Sequence, residues 1–164
     1  GFVAGVAEIN PDAAVDVRYI TQPPDFSGFA DPASARTIAD DMYDNDIDVV
    51  YHAAGGSGGG LFESAVEADR LAIGVDSDQY QQQDEATQPC ILSSMLKRVD
   101  VAVYNAIDSL LNDELEGGTP LEFNLENDGV GFATDGGQLD DVEDQLNELK
   151  DQIIAGDIEV PTTP

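Results

Sequence analysis

The stretch VVYHAAGGSGGGLFESA, residues 49–65, joins an apolar, β-branched segment to a helix-forming segment through a glycine-rich turn. A strand that passes through such a turn into a helix is typical of α/β proteins. Glycines at the carboxyl end of a parallel strand let a ligand approach the backbone, and the following helix offers free N–H groups there. The stretch therefore predicts a strand, a ligand-facing turn and a helix, in that order.

Segments on both sides extend this pattern. Asp31 followed by Pro32 is typical of a helix start, because aspartate caps free N–H groups and proline fits the first helical turn. Predicted strands lie at 14–20, 48–54, 71–79 and 90–96, and predicted helices at 2–9, 32–46, 61–69, 99–113 and 139–156. Two short strands are predicted within 121–134 and a terminal strand at 157–161. This alternation favours an α/β fold, a parallel sheet flanked by helices.

The charge of the chain is strongly negative. Its 34 acidic residues outnumber 6 basic residues and give a net charge of −28. Such a surface repels nucleic acids and anionic membranes, so neither is expected as a partner. Because the acids are spread over every segment, we interpret them as a solvated coat adapted to high salt, as in a halophile. A merely acidic protein from a low-salt environment is the alternative.

Few residues are available for metal or redox chemistry. The single cysteine, Cys90, excludes an internal disulfide and a cysteine-rich metal site. No apolar run approaches the 18 residues or so of a membrane span. We expect neither a metal nor a cofactor.

The turn also matches a catalytic motif. GGSGG at 55–59 has the form of the nucleophile elbow of serine hydrolases, with Ser57 as the nucleophile. That chemistry needs a histidine base after the serine, whereas the only histidine, His52, precedes it. Lys97 is a conceivable base without a supporting motif. We therefore expect no enzyme, and we interpret His52 as a hydrogen-bonded residue of a buried strand. The dinucleotide and P-loop fingerprints also fail, because the required glycine, lysine and serine or threonine are missing.

In a parallel sheet the loop near Phe29, the turn at 55–60 and Asp76 should share one crevice, because the strand ends point the same way. An aromatic face, backbone donors and a carboxylate acceptor would then converge. This combination suits a neutral polyhydroxylated or aromatic ligand, since a phosphate would be repelled by Asp76. The alternative for Phe29 is a loop aromatic that fills the core.

Six segments together carry a family resemblance. In order, they are GFVAGVAEINP, GFADPASARTIADDMY, DVVYHAAGGSGGG, LAIGVDSDQ, ILSSMLKRVDVAVY and GDIEVP. They resemble the carboxyl-terminal half of the basic membrane protein family, the substrate-binding lipoproteins of ABC importers whose characterised members are purine-nucleoside receptors. The resemblance covers nearly the whole chain. It implies a type I periplasmic-binding-protein fold whose two lobes close on a nucleoside, and an ABC permease as partner.

The resemblance also implies a binding site. Asp76 would accept hydrogen bonds from ribose hydroxyls, Lys97 would donate to the ligand, and Phe29 would stack on a purine face. The backbone of Gly55–Ser57 would line the same pocket. The predicted ligand-binding residues are Phe29, Gly55, Gly56, Ser57, Asp76 and Lys97.

The same resemblance predicts the organisation of the chain. Residues 1–94 would belong to the second lobe, residues 95–135 would cross towards the first lobe, and residues 136–164 would add a helix and a strand. The first lobe, a signal peptide and a lipid-anchored cysteine are expected upstream, which implies an extracytoplasmic lipoprotein that touches the membrane only through its anchor. A ligand-sensing regulatory domain of the same fold is the main alternative, and a hydrolase that uses Ser57 is the least favoured.

Overall fold

A four-stranded sheet carries helices that follow the predicted order. The computed structural model describes residues 1–161. The strands are β1 (Val49–Tyr51), β2 (Leu71–Asp76), β3 (Ile91–Lys97) and β4 (Val130–Phe132). The helices are α1 (Phe2–Ile9), α2 (Pro32–Asp44), α3 (Gly58–Ala68), α4 (Val99–Leu111) and α5 (Glu143–Ala155), and short 3₁₀ turns lie at Ser27–Ala30 and Gly55–Ser57.

The sheet is mostly parallel, with the strand order β1-β2-β3-β4. Tyr51 of β1 lies beside Ile73 of β2, and Asp76 of β2 lies beside Leu96 of β3. β4 runs antiparallel to β3 and closes one edge. The predicted α/β class is confirmed. The carboxyl ends of β1, β2 and β3 therefore lie at one edge of the sheet, where ligands of parallel α/β proteins bind.

Helices α2 and α3 cover β1 and β2. The start of α2 is as predicted: Pro32 occupies the first turn, and the Asp31 carboxylate accepts a hydrogen bond from the Ser34 N–H at 3.0 Å. The core lies between these helices and the sheet. Its buried members are Ala39, Met42, Tyr43, Val50, Leu61, Phe62, Ala65, Ala72 and Ile91.

Three predicted strands are absent. Residues 14–20 form no strand, although they line a cavity that is also lined by β1. Their alternating side chains Val15, Val17 and Tyr19 are exposed. Residues 121–124 and 157–161 are also irregular. Alternating polarity indicates a half-buried face, but a strand also needs a neighbour that pairs with its backbone, and these segments have none.

Helix α4 follows β3 directly and forms where it was predicted. None of its residues is buried, and it exposes apolar side chains that include Val103, Tyr104, Ile107 and Leu110. A helix of this composition ordinarily packs an apolar face against a neighbour. No helix in residues 1–161 combines the length and the apolar character needed to cross a membrane.

Candidate functional site

The glycine turn and Phe29 form the first part of the candidate site. Gly55 has a φ of +54°, a backbone conformation that L side chains rarely adopt. A Cβ atom at Gly55 would lie 3.4 Å from both the ring and the carbonyl oxygen of Phe29. The Phe29 side chain is 52 % exposed, so the alternative that it fills the core is wrong. The structure thus brings an accessible aromatic ring onto the backbone of the turn.

Ser57 is a buried residue of the turn, and its hydroxyl is bonded within the fold. Its side chain is 0 % exposed, its hydroxyl donates to the Gly28 carbonyl at 2.6 Å, and it accepts from the Asp31 N–H at 2.7 Å. The hydroxyl therefore fastens the turn to the segment that begins α2. Because His52 is bonded elsewhere, no imidazole activates this hydroxyl, and the elbow motif lacks the geometry of a nucleophile. The Ser57 N–H in turn donates to the Ala54 carbonyl at 3.1 Å, so the contact of Ser57 with a ligand stays a prediction.

Asp76 and Lys97 form the second part. The Lys97 ammonium lies 2.7 Å from the Asp76 carboxylate, and the two side chains are 57 % and 47 % exposed. Asp76 ends β2 with a φ of +71°, and the Ser77 N–H donates to the Val75 carbonyl at 2.9 Å, so Asp76 is the middle residue of a three-residue turn. Such turns are rare and strained, and strain of this kind concentrates at functional sites. A carboxylate and an ammonium are thus exposed to solvent together at the carboxyl ends of β2 and β3.

The two parts line separate cavities. Phe29 and Ser57 border a cavity of about 500 Å³ beside β1, whereas Asp76 and Lys97 border a more open cavity of about 570 Å³. The two share no lining residue, so the expectation of a single crevice is wrong. The physical reason is that the Asp76 carboxylate is paired with Lys97 at the end of β3 and lines the cavity on that side, away from the glycine turn.

The electric field of Asp76 nevertheless reaches the first part. Burial raises the pKa of Tyr51 at the end of β1, and the Asp76 carboxylate raises it further. The pKa of His52 is lowered by burial, while its hydrogen bond with Gln79 and the Asp76 charge act in the opposite direction. Tyr51 and His52 line the first cavity, and His52 is hydrogen-bonded to Gln79 in the loop that follows Asp76, so the two cavities are neighbours on one edge of the sheet.

Sequence reasoning missed Gln79 and Ser94. The Gln79 side-chain oxygen accepts from the Val75 N–H at 2.8 Å, and the Gln79 N–H donates to the hydroxyl of Ser94 at 3.0 Å. Gln79 therefore holds the loop that follows Asp76 against β2 and β3. Gln79 lies three positions after the end of β2, and no sequence pattern other than the DSDQ segment marks it as a functional residue. His52 is buried and hydrogen-bonded, as predicted.

The chain is similar to known proteins in sequence and in structure. Residues 1–163 match the family described as "ABC transporter substrate-binding protein PnrA-like". The chain belongs to this family. The predicted resemblance to basic membrane proteins is confirmed.

Two curated relatives and one solved structure illustrate the family. The "CD4+ T-cell-stimulating antigen" of Listeria monocytogenes is 35% identical over 177 residues, which cover 100% of this chain and 48% of the relative. The "ABC transporter nucleoside-binding protein BmpA" of Lactococcus lactis is 35% identical over 175 residues, covering 99% of this chain and 48% of the relative. A crystal structure of ABC transporter solute-binding proteins from Aeropyrum pernix K1 has a TM-score of 0.72 and 27% identity, and covers 99% of this chain and 52% of that structure.

This chain therefore spans about half the length of the curated relatives it matches. Its α/β architecture is that of one part of a solute-binding protein.

Proposed function

We propose that this chain forms the second lobe of the solute-binding protein of an ABC importer and that its ligand is a purine nucleoside. Family membership supports the first statement, and the name of the Lactococcus lactis relative supports the second. The observation that carries the proposal is the ion pair between Asp76, which lies in the strained turn, and Lys97 at the end of β3.

The chemistry of this pair suits a ribose. A carboxylate accepts from two vicinal hydroxyls, and the neighbouring ammonium donates to an oxygen or ring nitrogen of the same ligand. Because both side chains are half exposed and already paired, the ligand replaces part of one interaction instead of burying a lone charge. A ligand without hydroxyls would leave Asp76 less well bonded, and this difference selects for the sugar.

Of the other predicted contacts, Phe29 and Ser57 line the neighbouring cavity, so one nucleoside would have to extend from one cavity into the other. The exposed face of Phe29 would stack on the base, and the N–H groups of Gly55 and Gly56 would donate to it, because the Ser57 N–H already donates to the Ala54 carbonyl at 3.1 Å. Nothing in this set favours a phosphate, because the carboxylate and the net charge of −28 oppose an anion. We therefore expect nucleosides to bind and nucleotides to bind more weakly.

The wider role is part of the same proposal. The protein would act outside the cytoplasm, be held at the membrane by a lipid anchor outside this chain, and deliver its ligand to an ABC permease. Residues 95–135 would cross to the first lobe, and α4 would pack there with its exposed apolar side chains.

The test is a nitrogen-15 NMR titration of this chain with adenosine, guanosine, inosine, uridine and ribose in molar KCl. NMR detects the weak binding expected of one lobe. We expect the amide signals of Gly55, Asp76 and Lys97 to shift with at least one purine nucleoside. No shift with any of the five compounds would contradict the nucleoside proposal.

Two matched variants give the titration its control. Asp76→Asn keeps the size and the tolerance of left-handed backbone but removes the carboxylate, and we expect binding to be lost. Asp69→Asn makes the same change at another aspartate with positive φ, at the end of α3, and should bind as the unmodified chain does. Equal affinity in both variants would remove Asp76 from the site.

A further inference from the structure

One buried side chain joins the two parts of the candidate site. His52 follows β1 and is 7 % exposed. Its Nε2 atom lies 2.9 Å from the side-chain oxygen of Gln79, and its Nδ1 atom lies 3.4 Å from the N–H of Ala54, which immediately precedes the glycine turn. Gln79 in turn holds the N–H of Val75, next to Asp76. A continuous chain of hydrogen bonds therefore runs from the glycine turn through His52 to the Asp76 turn.

The partners of His52 assign its protonation. The Gln79 group must be the oxygen, because it accepts from the Val75 N–H. His52 must then donate from Nε2, which leaves Nδ1 free to accept from Ala54. The neutral ring with its proton on Nε2 satisfies every contact. A second proton on Nδ1 would point at the Ala54 N–H, and that hydrogen bond would be lost.

The ring has little room to move. A Cβ atom at Gly58 would lie 2.2 to 2.9 Å from three ring atoms of His52, so the ring occupies the space that this glycine leaves free. Phe62 of α3 packs edge-on against the ring, with centroids 5.6 Å apart. A proton gained at Nδ1 therefore cannot be accommodated by rotation of the ring, and the turn itself has to shift.

We propose that His52 is a positioning residue of the ligand site: its neutral ring holds the Gly55–Ser57 turn and the Asp76 turn in the binding arrangement, and protonation releases the turn. This inference rests on the proposed function, because it concerns the regulation of the proposed ligand site. It predicts a ligand affinity that falls on acidification.

The surroundings of the ring set the direction of this effect. The charged group that acts on His52 is Asp76 at the end of β2, and Asp76 is itself paired with Lys97 at the end of β3. Phe62 and Gln79, which contact the ring from α3 and from the loop after β2, carry no charge. Burial is the larger influence and lowers the pKa of His52 below its usual value. The ring is thus neutral at pH 7.5 and gains its proton only at a more acidic pH than an ordinary histidine does.

The first experiment needs no ligand. His52 is the only histidine of the chain, so its ring signal in a proton–carbon NMR spectrum is unambiguous. As the pH is lowered from 8, we expect the amide signals of Ala54 and Gly55 to titrate with the same midpoint as the ring. Amide signals that stay fixed while the ring titrates would overturn the proposal, whether or not a nucleoside binds. This outcome therefore distinguishes failure of the His52 proposal from failure of the nucleoside proposal.

The second experiment measures affinity for the purine nucleoside that binds best, at pH 7.5 and at a pH below the midpoint that the ring signal gives. We expect affinity to be lower at the acidic pH, and a ligand-induced decrease of about one unit in the pKa of His52 sets about tenfold as the limit that this loss approaches at low pH. By reciprocity, saturating nucleoside should lower the pKa read from the ring signal. Equal affinity at both pH values would overturn the proposal.

Variants separate positioning from general stability. His52→Gln retains a donor towards Gln79, and His52→Asn retains an acceptor for Ala54, but neither can titrate. Both should bind more weakly than the unmodified chain at pH 7.5 and equally well at both pH values. Tyr43→Phe is the control, because it removes a buried hydrogen bond to the Leu71 carbonyl in the core and should keep the pH dependence. A pH dependence that persists in His52→Gln would assign it to another group.

Discussion

Asp76 combines an unfavourable backbone conformation with an exposed ion pair. Its φ of +71° lies in the left-handed region, which costs an L residue about 1 kcal/mol or more. Asp69, which shares a positive φ, is the C-cap of α3, where a left-handed residue ends the helix. Asp76 has no such role, because it ends a strand. The conformation instead aims its carboxylate at Lys97 and at solvent.

This conformation predicts an inverted order of stability among variants. Asp76→Gly should be more stable than Asp76→Ala by about 1 kcal/mol, because glycine adopts a positive φ without a steric cost. Both variants should lose nucleoside binding. Urea unfolding followed by circular dichroism gives the free energies. Asp108, an exposed residue within α4, is the control, since alanine should be the more stable replacement there. The same order at both positions would contradict strain at Asp76.

The buried hydrogen bonds of Ser57 predict that replacing this serine lowers the stability of the fold. In Ser57→Ala the Asp31 N–H and the Gly28 carbonyl each lose their bond to the hydroxyl in a fully buried place. An unsatisfied buried polar group costs about 1 to 3 kcal/mol, so the free energy of unfolding should fall by that order. Thr37→Ala is the control, because it removes an exposed hydroxyl bonded to the Ala33 carbonyl and should change stability by no more than about 0.5 kcal/mol. Similar values for both variants would disprove the buried role of Ser57.

The sequence predicts which residues lie at the sheet edge but not how they are bonded. Parallel strands place the turn at 55–57 and Asp76 at one edge, so these positions could be anticipated. The bonds of Ser57 to residues 26 and 29 positions away, and of His52 to a residue 27 positions away, depend on how α2 and α3 pack on the sheet. No local pattern encodes such contacts. The contacts of the six predicted residues with a ligand remain predictions.

Among the elements, helices are predicted more reliably than strands because of where their hydrogen bonds lie. The start of α2 and the end of α5 at Gly156 follow from local capping residues, and both were anticipated. A strand is completed only by another strand. Residues 14–20 have the composition of a strand, yet they run beside β1 without pairing with it. The pattern described the side chains correctly and could not specify the partner.

Helix α4 allows the proposed crossing to be tested at the scale of one element. Ile107 of α4 is 54 % exposed, whereas Ile91 of β3 is 2 % exposed. In this chain, Ile107→Ala should change the free energy of unfolding by no more than about 0.5 kcal/mol, and Ile91→Ala should cost about 2 to 5 kcal/mol. Thermal or urea unfolding measures both. A large loss from Ile107→Ala would mean that α4 already packs within this chain and would argue against a crossing segment.

Over the whole molecule, acidic side chains far outnumber basic ones. Each of the 6 basic side chains forms an ion pair with a carboxylate, and Arg36 alone contacts Asp40, Glu63 and Glu67. Most of the 34 acidic side chains therefore have no basic partner in residues 1–161. Since these pairs are at the surface, each contributes little stability, and repulsion among the remaining acids dominates the electrostatic energy.

This repulsion predicts that the fold depends on salt. Raising KCl from 0.1 M to 1 M shortens the screening length from about 10 Å to about 3 Å, so the melting temperature should rise because acids on neighbouring elements no longer repel one another. Salt also strengthens apolar burial, and a charge variant separates the two effects. A triple variant that replaces exposed Asp44, Asp108 and Asp141 by asparagine should melt at a higher temperature than the unmodified chain in 0.1 M KCl, and the difference should shrink in 1 M KCl. Equal melting temperatures at low salt would contradict the halophilic interpretation, because the acids would then not be opposing the fold.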